Sequence, residues 1–255
     1  MRVVSDLDTW LRVREILDDV GVGFVPTMGA LHEGHLALIR RSAAENERTV
    51  VSVFVNAPQF NDPADLQGYP RSLEGDVRMA ADAGADFVFA PTHETMYDDG
   101  YRYRVTECDL GRTLEGAHRP GHFVGVLTVV LKLLNLVRPT RAYFGEKDYQ
   151  QYLLIHGMAD AFFLDTEIVA CPTVRETDGL ALSSRNVLLS PEARELAPRF
   201  AEILAGAEGP EVVRRHLEDA GFEVDYVDDV DGRRYGAVYV DGVRLIDNLS
   251  LEDDE

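Results

Sequence analysis

Two imidazoles, two glycines and a strand-to-helix junction come together in Pro26-Thr27-Met28-Gly29-Ala30-Leu31-His32-Glu33-Gly34-His35. Val22–Val25 reads as a strand that breaks at Pro26, and Leu36, Leu38, Ile39 and Ala43 give the apolar side of a helix starting near His35. The first N–H groups of a helix have no internal partner and carry the positive end of its dipole, so such a junction suits an anion. Glycines let a ligand approach the main chain, and imidazoles donate to phosphate oxygens. Phosphate binding is the chemistry this spacing points to. A capped helix behind two surface histidines is the alternative for HxGH taken alone.

Three further segments carry compatible chemistry. Gly145-Glu146-Lys147-Asp148-Tyr149-Gln150-Gln151 follows a strand-like Ala142-Tyr143-Phe144, and Lys147 is one of only two lysines, with Lys132, in a chain of 23 arginines. An ammonium with rotatable donors is a good point charge for phosphate. In Val174 to Asn186, Ser183-Ser184-Arg185 sets two hydroxyls and a guanidinium in a loop before a helix that Ser190-Pro191 caps, a second candidate phosphate clamp. Asn56 and Gln59, in Phe54-Val55-Asn56-Ala57-Pro58-Gln59-Phe60, end the strand Val50–Val55, where open α/β sheets bind ligands. Turn chemistry accounts equally for each of these segments taken singly.

The elements that must hold these residues alternate. Strand-like runs at Val22–Val25, Val50–Val55, Phe87–Ala90 and Ala142–Phe144 are separated by helical patterns at Leu36–Glu47, Leu73–Ala83 and Val124–Leu136. That order predicts βαβ units and a Rossmann-like parallel sheet, an α/β fold. After about Thr173 the pattern changes to helices at Pro191–Leu204 and Pro210–Ala220, then short strands at Phe222–Val227, Ala237–Val240 and Val243–Ile246, with Asp241-Gly242 as a hairpin turn. The expected layout is a domain over residues 1–173 and a small C-terminal α+β lid domain over 174–255.

Taken together, the four segments resemble the pantothenate synthetase (pantoate–β-alanine ligase) family of HxGH nucleotidyltransferases. Tyr69-Pro70-Arg71 with Asp76, Leu114–Phe123 and the closing Val243–Asn248 extend the match, which runs in register from about Val22 to Asn186. The resemblance implies a two-step reaction. Pantoate carboxylate attacks the α-phosphorus of ATP to give pantoyl adenylate and pyrophosphate, and the amine of β-alanine then displaces AMP. It further implies Mg²⁺ beside the phosphates and a homodimer. The two-domain layout, with ATP motifs on both sides of the boundary, suggests closure over the adenylate, and the composition agrees with a cytoplasmic enzyme.

Carried over position by position, the catalytic set implied is His35, His32, Lys147 and Arg185. ATP would be bound by Met28, Gly29, Ala30, Leu31, His32, Glu33, Gly34 and His35, by Gly145, Glu146, Lys147 and Asp148, and by Val174, Leu182, Ser183, Ser184 and Arg185. Gln59 and Gln151 would hold pantoate and β-alanine, with Asn56, Tyr69, Arg119 and Glu115 as neighbours. Asp76 would reach the metal through water. Ala57-Pro58, Glu74-Gly75 and a short segment after Ser190 depart from the family pattern. A different acceptor for the nucleotide is the rival within the HxGH class, and the glutamine pair, in place of extra basic residues, speaks against a phosphorylated one. A silent binding protein is the rival outside it.

Composition sets outer bounds. The net charge of −20, from 45 acidic and 25 basic residues, disfavours nucleic acid and anionic membranes as partners. Residues 211 to 255 hold 14 acidic residues against five arginines, ending in an acidic tail expected to fray. The start of the chain has no secretory pattern, and the longest apolar stretch, Val124–Val137, is interrupted by Thr128, Lys132 and Asn135. Two isolated cysteines fit a reducing compartment. Acidity with so little lysine also suggests adaptation to high salt.

Overall fold

A computed structural model describes residues 1–252, and the last three acidic residues of the tail lie outside the described residues. The chain forms two compact units. One comprises residues up to Glu146 together with Gln150–Cys171, and the other comprises Lys147–Tyr149 with the chain from Pro172 on.

The first unit is built on a six-stranded sheet of β1 (Arg2–Val4), β2 (Val22–Thr27), β3 (Arg48–Val53), β4 (Phe87–Phe89), β5 (Arg141–Gly145) and β6 (Glu167–Cys171). The spatial order is β1-β4-β3-β2-β5-β6 and every pairing is parallel. The central strands β2 and β3 are buried along almost their whole length because helices cover both faces. Alternate residues serve opposite layers. Val22, Phe24 and Val50 pack with Trp10, Leu127 and Ile155, while Val25 and Val51 pack with Leu36, Ile39 and Tyr143.

The chain winds outward from β2 through β3 to β4, then returns to the other side of β2 for β5 and β6. The direction therefore reverses between β2 and β5, where the ladder is confined to Gly23↔Arg141 and Phe24↔Ala142. A crevice at the carboxyl ends of such strands is where doubly wound sheets bind ligands.

Two parallel strands, β1 and β6, escape the periodicity reading. Three residues are too few to show a period, and β6 lies at the sheet edge next to the expected domain boundary. β2 does not break at Pro26 but continues to Thr27, in register with Ser52 and Val53 of β3, where the ladder to β5 has already ended at Phe24 and asks no N–H of the proline. The helix after β2 starts earlier than expected, at Glu33, and runs to Glu45.

In the second unit β7 (Glu223–Val230), β8 (Arg233–Val240) and β9 (Val243–Ser250) form an antiparallel meander. Both hairpins turn on Asp-Gly with positive φ, at Asp231-Gly232 (49° and 73°) and Asp241-Gly242 (51° and 74°). These values match the type I′ turn whose twist suits paired strands. The predicted helix over Pro191–Leu204 is two helices, Pro191–Leu196 and Pro198–Leu204, because Pro198 cannot continue the hydrogen-bond ladder. Phe200, Leu204, Val213 and Leu217 from these helices and from Pro210–Ala220 pack on Val227, Val238, Val240 and Leu245.

Candidate active site

The loop after β2 is set by hydrogen bonds that reach both neighbouring elements. Thr27 Oγ1 donates to Ser52 O (2.6 Å) and accepts from Gly29 N–H (3.1 Å). Gly29 and Ala30 then take left-handed φ values of 83° and 50°. This turns the following amides toward Asp76, in the Leu73–Asp82 helix, whose Oδ2 accepts from Ala30 N–H (3.1 Å) and Oδ1 from Leu31 N–H (2.8 Å). Asp76 is 3% exposed. A Cβ on residue 29 would stand 2.8 Å from Asp76 Oδ2, so both conformation and contact call for glycine there.

The loop delivers His32 as the N-cap of the Glu33–Glu45 helix and His35 to its first turn, with ring centroids 4.1 Å apart. His35 Nδ1 accepts from His32 N–H at 3.4 Å. Accepting at Nδ1 makes Nε2 the protonated nitrogen of the neutral ring, a donor suited to an oxyanion. Met28, Glu33 and Gly34 complete the segment around the helix start.

The strand next to β2 supplies the second group. Phe54 N–H donates to Thr27 O, and the chain then turns through Ala57–Gln59 as a single 3₁₀ turn. Asn56 is 1% exposed and Gln59 8%. Asn56 Nδ2 donates to Gln59 Oε1 (2.9 Å) and to Gly125 O (3.1 Å), and Tyr97 Oη donates to Asn56 Oδ1 (2.5 Å). Gln59 O accepts from His122 Nδ1 (2.8 Å) and Arg119 Nη2 (3.3 Å), while Arg119 Nη1 pairs with Glu115 (2.9 Å). The amide of Asn56 is thus committed to three protein partners, and Arg119 and Glu115 brace the Gln59 main chain. Tyr69 is buried edge-on against Phe60. Gln151 is half-buried in the first turn of the Tyr149–Ala161 helix, after Gly145 and Glu146 at the end of β5.

The second unit holds the other phosphate candidates. Lys147 Nζ lies 3.8 Å from Asp148 Oδ1, and the Lys147 carbonyl accepts from Asn248 Nδ2 at 2.9 Å. Asn248 Oδ1 in turn accepts from Arg233 (2.5 Å), whose guanidinium lies 3.8 Å over the Tyr149 ring. Val174 and Leu182 close a small hairpin through Leu182 N–H to Val174 O (3.0 Å). Beside it Arg175 makes a bidentate pair with buried Asp247 (2.6 and 3.0 Å), hydrogen bonds that raise its guanidinium above the ordinary arginine value. Ser183 Oγ accepts from Arg185 N–H (3.2 Å), shaping the Ser183-Ser184-Arg185 turn. Arg194 pairs with Glu176 and Asp178 (2.7 Å each) and holds the Asp178 carboxyl below the usual carboxylate range.

The first unit therefore places His32, His35, Asn56 and Gln59 in the segments that follow two adjacent strands, with Asp76 reaching the first of them from the Leu73–Asp82 helix. Sequence reasoning misses Tyr97, and it flags Asp247 and Asn248 without their roles as partner of Arg175 and seat of the Lys147 carbonyl. Tyr97 reads as a core aromatic, and the closing Asp-Asn pair has no partner visible in its own neighbourhood. Each carboxylate oxygen of Asp76 already accepts a loop N–H, so a water-mediated metal contact there has to use the remaining lone pairs. Among the described residues no group of three His, Cys, Asp or Glu side chains is arranged to hold a metal ion.

The pantoate-beta-alanine ligase family matches residues 1–250. The pantothenate synthetase of Legionella pneumophila (strain Corby) is 50% identical over 252 residues, which is 98% of this chain and 100% of that protein. That of Coxiella burnetii (strain RSA 493) is 49% identical over 254 residues, 100% of this chain and 98% of the relative. Among solved structures, the pantoate-beta-alanine ligase of Francisella tularensis, complexed with beta-gamma ATP and beta-alanine, superposes with a TM-score of 0.94 at 40% identity, covering 98% of each chain. The pantothenate synthetase of Thermus thermophilus gives 0.90 at 45% identity over 98% of this chain and 99% of that one. With the histidine loop, the glutamine turn and the lysine segment all inside the matched region, the chain belongs to the pantoate–β-alanine ligase family, enzymes that join pantoate to β-alanine at the expense of ATP.

Proposed function

We propose that this chain makes pantothenate through an enzyme-bound pantoyl adenylate. A pantoate carboxylate oxygen attacks the α-phosphorus of ATP, the α–β phosphoanhydride bond breaks, and pyrophosphate leaves. The β-alanine amine then attacks the acyl carbon, the bond to AMP breaks, and the amine gives up a proton. A carboxylate is a poor electrophile until one oxygen leaves as AMP, so the protein's task is positioning and charge stabilisation.

The observation that carries this assignment is the juxtaposition in the first unit. A clamped loop presents His32 and His35 at the helix start that follows β2, and the adjacent parallel strand β3 leads into the buried turn that carries Gln59. His35 Nε2 donates to the phosphate oxygens as charge shifts in the transition state, and His32 and the loop amides of Met28–Gly34 orient the nucleotide. Gln59 and Gln151 hold pantoate. In the second unit Lys147 and Arg185 neutralise phosphate charge, Ser183 and Ser184 donate to it, Asp148 bonds the ribose, and Val174 and Leu182 flank the base. Magnesium enters with the nucleotide phosphates rather than on a protein-held cluster. The functional unit is a homodimer, a role for which exposed Phe162 and Phe163 offer apolar surface. Among the described residues no helix is long and apolar enough to cross a membrane, and the unpaired Cys108 and Cys171 suit the reducing cytoplasm.

The test is to supply ATP, Mg²⁺, pantoate and β-alanine, omitting each in turn, and to follow pyrophosphate, AMP and pantothenate. Pyrophosphate released with pantoate alone, and AMP only after β-alanine is added, is the expected order. Pyrophosphate release that requires β-alanine would exclude a separate adenylate step. Sedimentation of the pure protein at twice its chain mass is the expected result for the dimer.

A further inference from the structure

We propose that Tyr97 is a positioning residue for the acid substrate: together with the Gly125 carbonyl, it locks Asn56 in the orientation that makes Gln59 offer its side-chain amino group, not the oxygen, to pantoate. The proposal rests on the assignment of Gln59 to pantoate.

The polarity starts at a backbone carbonyl. Gly125 O can only accept, so the Asn56 atom 3.1 Å from it is the Nδ2 amino group. Oδ1 then points to Tyr97, whose hydroxyl has to donate. The other Nδ2 hydrogen meets the Gln59 side chain at 2.9 Å, where only an oxygen can receive it. Gln59 is left with Nε2 and its two hydrogens as the end available to a carboxylate or hydroxyl oxygen. With the amide reversed, a lone pair would face the anion, and two donors would face each other at Asn56.

Tyr97 is held to its part of this relay. It is 4% exposed, and burial, with smaller contributions from Tyr101 and Asp99, pushes its phenol above the ordinary tyrosine range, so the donor hydrogen stays in place. Lys132, one of the two lysines, lies 4.7 Å over the Tyr97 ring, while its Nζ donates to Met96 O (2.7 Å) and Asp99 (3.0 Å). Gly125 is held equally closely. A Cβ there would come within 2.7 Å of Gln59 N and Cα, so only glycine lets the His122–Val137 helix bring its carbonyl to Asn56. Without the Tyr97 hydroxyl, Asn56 Oδ1 is a buried acceptor with no donor, and the amide pair loses the contact that completes its order.

The experiment compares Tyr97→Phe with Gln59→Glu in steady-state kinetics of the full-length enzyme. Tyr97→Phe is expected to raise the pantoate KM about tenfold, the equivalent of one buried hydrogen bond, while the ATP KM stays where it was. Gln59→Glu, which removes the amino group, is expected to raise the pantoate KM by more. If Gln59→Glu leaves that KM unchanged, the assignment of Gln59 to pantoate is wrong. If Gln59→Glu raises it and Tyr97→Phe does not, the relay alone is overturned. Parallel rises in both KM values with a lowered Tm in Tyr97→Phe would show a packing role and overturn it too. Should Tyr97→Phe not fold, side-chain amide exchange in the unaltered protein decides. Slow exchange of the Asn56 amide hydrogens before any pantoate is added supports the relay, and fast exchange overturns it.

Discussion

Asn248 donates its side-chain amide to the backbone carbonyl of Lys147 at 2.9 Å, across 101 positions of sequence. The lysine ammonium is thereby placed by its main chain, and the final strand takes part in setting where that charge stands. Replacing Asn248 by alanine should raise the ATP KM about tenfold, the equivalent of one lost buried hydrogen bond, and leave the pantoate KM unchanged. Steady-state kinetics with each substrate varied separately checks this.

Asp76 should prove to be a clamp. Asp76→Asn keeps the shape but turns one of two acceptors into a donor facing a loop N–H, so kcat should fall by about 10²-fold. The apparent Mg²⁺ requirement of the remaining activity should match that of the unaltered enzyme. A rightward shift in Mg²⁺ titration would instead make Asp76 a metal contact.

His35→Ala and Lys147→Ala should each slow adenylate formation by about 10²- to 10³-fold, the range for removing one transition-state donor. Single-turnover pyrophosphate release without β-alanine isolates that step, and circular dichroism establishes that the fold persists.

The acid limb of stability should carry the signature of Asp99. Hydrogen bonds from Tyr103 N–H and the Lys132 ammonium hold its carboxyl down at about 2. A lowered folded-state value stabilises above the unfolded value of about 4 and loses that contribution as pH falls through the folded one. Asp99→Asn should therefore flatten the decline of Tm between about pH 4 and 2. An unchanged profile would refute the link.

A chain of net charge −20 repels itself, and added salt screens that repulsion. Tm should rise as KCl is added. A flat response would remove salt adaptation as the explanation for the scarcity of lysine.

The site residues legible in the sequence are those whose type and punctuation coincide. His32 and His35 follow an apolar strand punctuated by a proline near its end, and Lys147 stands out in a chain that otherwise uses arginine. The parallel sheet is legible for the same reason, since β2 and β3 are apolar runs separated by a helical period, and Asp241-Gly242 announces its hairpin. The Asp76 clamp is not, because its partners are the N–H groups of Ala30 and Leu31, which nearly every residue type possesses. Tyr97 is hidden because an aromatic at a buried position looks the same whether its hydroxyl orders an amide or merely finds a partner. Pro198 is legible in principle, but the apolar period running across it suggests one helix.

The second unit borrows Lys147–Tyr149 from the middle of a chain whose neighbouring residues belong elsewhere. It is consequently not a cassette. A gene spliced at Cys171 would deliver a C-terminal piece without the lysine, and Asn248 would arrive without the carbonyl it holds. Recombination between diverged relatives is constrained in the same way. A hybrid with a foreign C-terminal half inherits its lysine triplet from one parent and the asparagine that seats it from the other, so the two must descend together.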